Sequence, residues 1–138
     1  MRWSLLLVFL FSASATAQQR LKPGDTVTMK VTAYCPCEKC CGKWAASAKT
    51  AIGRDARTTV GVAADPKLLP YRTRLEIPGV GMREVDDTGG AMRQSAKKGI
   101  VHIDLRMKTH AEAKAWGVQW LMVRIIALPK SKQKRRSS

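Results

Sequence analysis

Glycine and proline recur between the apolar runs of this chain, at Pro70, Pro78, Gly79, Gly81, Gly89, Gly90 and Gly99, and hold every element there to a few residues. A chain interrupted this often builds its core from short strands rather than long helices. The runs agree with that. Val27, Met29, Val31 and Ala33 alternate with Thr26, Thr28, Lys30 and Thr32, the two-residue period of a strand with one buried face. Further strands are expected at Val60 to Ala64, Thr73 to Ile77, Arg83 to Asp86, Ile100 to Leu105 and Leu121 to Ile126. Thr109-His110-Ala111-Glu112 is a capping box opening a helix that Gly117 stops. Residues 42–58 show no sustained period and are expected to form a long loop, with a helical turn near Trp44 to Ala48. Six short strands and one helix specify a mostly β fold, a small six-stranded barrel with one short α-helix.

The ends differ from this middle. Arg2, the apolar run Leu5 to Phe11 and the small residues Ala15-Thr16-Ala17 have the order of a secretory signal, with cleavage expected near Ala17. The apolar run is too short to span a bilayer, so the chain is expected to be secreted, periplasmic or held at the cell wall rather than anchored. Residues 18–27 form an N-terminal extension, 28–128 one domain and 129–138 a basic tail carrying Lys130, Lys132, Lys134, Arg135 and Arg136. With 25 Lys and Arg against 10 Asp and Glu, the protein should adhere to anionic wall polymers or a membrane surface, the tail adding to that attraction. No nucleic-acid partner is expected, because no zinc-finger spacing, RNA-binding aromatic signature or recognition helix is present. The chain is read as a monomer.

Cys35, Cys37, Cys40 and Cys41 crowd into one short segment after the first strand. Four thiols so close suggest metal at first sight. Zinc sites, however, take ligands from two separated knuckles, and the sequence offers no second cluster or His pair nearby. Export to an oxidising compartment favours one or two local disulfides, of which four cysteines allow three full pairings. Bound metal and free reactive thiols are the alternatives; the favoured reading has no metal and no other cofactor.

The scarce acidic residues fall in three turn-like motifs: Ala-Ala-Asp-Pro at Asp65, Asp-Asp-Thr-Gly-Gly at Asp86 and Asp87, and His-Ile-Asp-Leu at Asp104. Asp before Pro or before Thr-Gly-Gly is also ordinary turn chemistry, in which the side chain bonds its own backbone. Their order decides between the two. Val31-Thr32-Ala33-Tyr34, the cysteine segment, Gly61-Val62-Ala63-Ala64-Asp65-Pro66, Leu69-Pro70, Ile77-Pro78-Gly79, Asp87-Thr88-Gly89-Gly90-Ala91, Ile103-Asp104 and the Thr109 to Ala113 helix together resemble the 3D domain family, named for its three aspartates. The resemblance spans about residues 28–126. It implies a double-psi β-barrel similar to the catalytic domain of membrane-bound lytic transglycosylase A, acting on peptidoglycan glycan strands by cleaving between N-acetylmuramic acid and N-acetylglucosamine with a 1,6-anhydro product. The three family aspartates map onto Asp65, Asp87 and Asp104, leaving Asp86 as an extra neighbour. The segment from Arg93 to Ile103 is longer than the family pattern and is expected to be a loop that reshapes the cleft.

Such a cleavage needs a proton for the leaving oxygen and stabilisation of positive charge at the anomeric carbon. One carboxyl can do the proton work of both steps, since the C6 hydroxyl of the same sugar attacks and returns a proton. It must stay protonated at working pH, which burial or a neighbouring carboxylate achieves. Asp104 is assigned that role, with Asp87 and Asp65 tuning it and binding substrate, although Asp104 and Asp87 are interchangeable on sequence. Thr32 and Tyr34 are expected to line the cleft, Trp44 to stack on a sugar ring, and Gly89 and Gly90 to let backbone approach the substrate. Trp116 and Trp120 are assigned to packing, His102 to an ordinary surface position with a place beside the site as the alternative, and His110 to no chemistry. The competing expectations are a non-catalytic glycan-binding module and a hydrolytic glycosidase.

Overall fold

The computed structural model describes residues 20–130, so the signal expected at residues 1–17 and residues 131–138 of the basic tail lie outside the described residues. Strand β1 (Thr26–Tyr34) follows from the alternation above: Met29 and Val31 are fully buried while their neighbours face outward. It is followed by a one-turn helix α1 (Glu38–Cys41) and a 3-10 turn (Gly42–Ala45). Next come β2 (Val62–Ala64), β3 (Arg74–Ile77), β4 (Gly81–Asp87), helix α2 (Gly90–Lys97), β5 (His102–Arg106), helix α3 (His110–Trp116) and β6 (Gln119–Ala127).

The six strands close into one barrel in the order β1-β5-β2-β4-β3-β6. Four neighbouring pairs are antiparallel; β1 with β5 and β2 with β4 are parallel and join strands distant in sequence. Two parallel pairs interlocked in an otherwise antiparallel barrel is the expected double-psi arrangement. Closure leaves no strand edge unpaired. The one tight hairpin, β3 to β4, turns at Pro78-Gly79, with Gly79 at φ +73° and the Val80 amide donating to the Ile77 carbonyl. Inside, Met29, Val31, Val62, Leu75, Ile77, Val85, Ile103, Leu105, Val123 and Ile125 form the core.

The capping box holds as expected: the Glu112 amide donates to Thr109 Oγ1 at 3.2 Å, and Glu112 Oε2 accepts from the Thr109 amide at 3.1 Å. Three expectations are corrected. Among the described residues there are three short α-helices rather than one. The Arg93 to Ile103 segment is not a loop, because its first half is helical in α2, where Met92 is buried and Gly99, at φ +75°, ends the turn that follows. Trp116 does pack, donating its indole N–H to the Val31 carbonyl at 3.1 Å, but Trp120 is largely exposed on the outside of β6.

Candidate active site

Strand register builds the site. Thr32 of β1 pairs with Asp104 of β5, Asp104 pairs with Ala63 of β2, and Ala63 pairs on its other side with Asp87 of β4. Four strands thus put Thr32, Asp104, Ala63 and Asp87 in one row across the barrel wall. Two strand spacings of about 4.8 Å separate the two aspartate backbones by about 10 Å. The residue between them is alanine, whose methyl leaves the space over the row open.

That space is a cleft of about 650 Å³, lined by Asp104, Ala63, Asp87, Tyr34, Gly89 and Gly90, with Trp44 and Arg93 also on its walls. Its size is that of an ordinary ligand site. Trp44 is 68% exposed, so its ring face is available to a ligand, with Lys43 Nζ 5.2 Å from the ring centre. Arg93 comes from α2 and donates to Thr88 Oγ1 at 3.0 Å. The extra segment therefore does shape the cleft, as a helix.

The two carboxyls are held differently. Asp87 accepts from Tyr34 Oη at 2.8 Å through Oδ2, and from the amides of Ala51 at 3.0 Å and Thr88 at 2.9 Å through Oδ1. Asp104 has one side-chain donor, Thr32 Oγ1 at 2.9 Å. Burial raises the pKa of Asp104 above the ordinary carboxylate range; the Thr32 bond opposes the rise and the charge of Asp87 adds to it. One carboxyl favours its proton, and the other is surrounded by donors.

Beneath them lies a buried ion pair. Asp86 and Arg106 meet fork to fork, with Nη1 donating to Oδ1 at 3.0 Å and Nη2 to Oδ2 at 2.6 Å. Both are almost wholly buried. Arg106 also donates to Tyr34 Oη at 3.0 Å, and Tyr34 donates to Asp87, so the pair positions the cleft carboxylate through the phenol. Burial raises the Tyr34 pKa and keeps the hydroxyl protonated as that donor. Burial works against the charge of Arg106, but the Asp86 carboxylate outweighs it and holds the guanidinium above its ordinary value. The Asp-Asp doublet divides its work at a register shift: Val62 pairs with Val85 and Ala63 with Asp87, so Asp86 is the extra residue of a bulge, turned to Arg106 while Asp87 faces the cleft. Gly61 is required beside it, because a Cβ there would lie 2.5 Å from the Asp86 carboxylate.

Asp65 stands apart. Its side chain accepts from the Lys67 amide at 3.0 Å, its carbonyl accepts from the Leu68 and Leu69 amides, and it does not line the cleft. The structure brings Asp87 and Asp104 together and gives Asp65 the turn chemistry of its motif. Thr32 lies behind Asp104 rather than on the cleft wall, and it continues inward: Thr32 Oγ1 is 2.8 Å from His102 Nε2, and His102 Nδ1 is 2.9 Å from Ser95 Oγ of α2. His102 is buried, which lowers its pKa, with Lys30 lowering it further. Arg106, Ala63, Ser95 and Arg93 were not found from sequence. For Arg106 the signal that could have found it is strand parity, since it lies two residues after Asp104 on the same strand.

The cysteines sit at the cleft rim as four free thiols. Cys40 and Cys41 line the cleft, Cys41 donating to the Cys35 carbonyl at 3.3 Å, whereas Cys35 and Cys37 do not line it. His110, given no chemistry on sequence, lies beside them: its Nδ1 is 3.4 Å from Cys40 Sγ and 3.8 Å from Cys37 Sγ.

A search among curated proteins gave no match. The 3D domain model matches residues 60–128, which runs from just before β2 through β6 and takes in all three aspartate motifs, while β1 and the cysteine segment precede it. The family is associated with proteins that act on peptidoglycan. On the match, the barrel and the motifs in their order, the chain belongs to the 3D domain family.

Proposed function

We propose that this protein is an exported peptidoglycan lytic transglycosylase, with Asp104 as acid and base. The observation that carries the proposal is the asymmetry of the two cleft carboxyls: Asp104 is part-buried, has one side-chain donor and is raised in pKa, while Asp87, across Ala63, accepts three hydrogen bonds. A carboxyl that keeps its proton can give it to the glycosidic oxygen as the bond to N-acetylmuramic acid C1 breaks. The carboxylate of Asp87 then faces the positive charge developing at that carbon. The C6 hydroxyl of the same sugar attacks C1, and Asp104, now ionised, takes the hydroxyl proton and is restored. No water is consumed, so the product ends in a 1,6-anhydro ring. Trp44 would stack on a neighbouring sugar, and Gly89 and Gly90 leave backbone exposed to the strand.

Digestion of purified sacculi, with the released muropeptides weighed, tests this. The protein should release anhydro-muropeptides one water lighter than hydrolytic products. Asp104→Asn should release none while still sedimenting with sacculi. Reducing-end products would instead identify a hydrolase, and binding without release would identify a glycan-binding module.

A further inference from the structure

We propose that Cys35, Cys37, Cys40 and His110 bind one zinc ion, as a clasp between the segment after β1 and the first turn of α3. The four ligand atoms lie within 4.8 Å of one another. Cys35 Sγ is 3.5 Å from Cys40 Sγ, and His110 Nδ1 is 3.8 Å from Cys37 Sγ and 3.4 Å from Cys40 Sγ. Zinc bonds of about 2.3 Å to sulfur and about 2.0 Å to nitrogen, arranged tetrahedrally, give ligand separations of about 3.8 Å between sulfurs and about 3.5 Å from sulfur to nitrogen. The three distances cluster about those edges.

The fold brings the donors together although His110 is 70 residues from Cys40 in sequence. β1 and β5 run parallel with Tyr34 opposite Arg106, and the Met107 amide donates to the Tyr34 carbonyl at 2.8 Å. The two chains therefore leave the barrel side by side, one into Cys35 and the other toward His110. The capping box of Thr109 and Glu112 fixes the first turn of α3, and with it the imidazole. On the other chain, the amides of Cys40 and Cys41 both donate to the Cys37 carbonyl, folding Cys40 back over Cys37. Adjacent cysteines thereby differ: both line the cleft, but Cys40 alone of the two joins the cluster.

Three thiolates and an imidazole are soft donors that select zinc over magnesium, calcium or manganese. Four protein ligands make a closed, structural site, with no open position for a substrate. A disulfide would use two of these sulfurs and leave the third thiol and His110 unaccounted for. The clasp adjoins Tyr34 and holds the turn that carries Cys41, so it braces one wall of the cleft.

Titration of the reduced, full-length chain with zinc, and with cobalt as an optical reporter, tests the site without reference to activity. The expected result is one ion per chain, with the thiolate charge-transfer and tetrahedral ligand-field bands of cobalt, and a higher melting temperature with zinc than without. Loss of an outer-shell partner weakens metal sites by about 10–100-fold, so Cys37→Ser and His110→Ala, each losing a ligand, should weaken binding by about 100-fold or more. Cys41→Ser should bind as the parent does. Failure of the folded parent to bind zinc, six-coordinate cobalt spectra, parental affinity in His110→Ala, or a disulfide among Cys35, Cys37 and Cys40 in the protein purified from its exported form would each overturn the proposal.

Discussion

At the scale of the residue, the site works by giving two carboxyls of the same chemistry different surroundings. Asp104 is part-buried with a single side-chain hydroxyl donor, and desolvation holds its pKa in the folded state above the ordinary value of 3.8. Linkage gives the sign. A carboxyl whose folded pKa is raised contributes stability that is fully present below its unfolded value and is lost as pH rises through the folded value. Asp104→Asn removes that loss while keeping an oxygen for Thr32 to bond. The variant should therefore be more stable than the parent near about pH 7 and lose that advantage as pH falls toward about 3, as denaturant titrations across that range would measure. An advantage independent of pH would mean that the carboxyl does not titrate above its ordinary value. Activity should follow the same group, falling as pH rises through the raised pKa and the acid loses its proton.

At the scale of the element, β2 decides the geometry and α2 its support. β2 is three residues long and wholly buried, with the β5 and β4 carboxyls on either side of Ala63. A larger side chain at Ala63 would fill the gap between those carboxyls. Ala63→Leu should reduce sacculus cleavage by at least about tenfold through a raised KM, at a stability cost of about 1–3 kcal/mol from crowding, with the barrel retained by circular dichroism. Undiminished cleavage would place the reaction elsewhere. The strands of this row were legible in the sequence because alternation and turn residues bounded them, and the aspartates because their motifs came in family order. Helix α2 was not legible: it begins at Gly-Gly with no side-chain cap, runs eight residues, and is settled by the burial of Met92 and by Ser95 reaching His102. Those are tertiary contacts that local pattern does not announce.

At the scale of the whole molecule, the barrel converts distant segments into neighbours, and this is where sequence reasoning stopped. Periodicity located the strands, but only the parallel pairing of β1 with β5 and of β2 with β4 sets Thr32 against Asp104, Ala63 against Asp87, and the cysteines against His110. Asp65 illustrates the converse, since its motif marked it as a partner of the other two and the fold leaves it in a turn. Charge, by contrast, needs no topology. The formal net charge of +15 belongs to the whole chain, whereas the two central groups of the cleft are acidic, so the attraction to an anionic wall that we propose would act through the basic surface rather than the cleft. Screening shortens such attraction from about 10 Å at 0.1 M salt to about 3 Å at 1 M. Retention on sacculi should therefore fall steeply across that range for the parent and for Asp104→Asn alike, as co-sedimentation at graded salt would measure. A chain lacking residues 131–138, which carry four of the basic side chains, should release at lower salt than the parent. Retention that ignores salt would assign binding to the cleft, and equal release of the shortened chain would remove the tail from it.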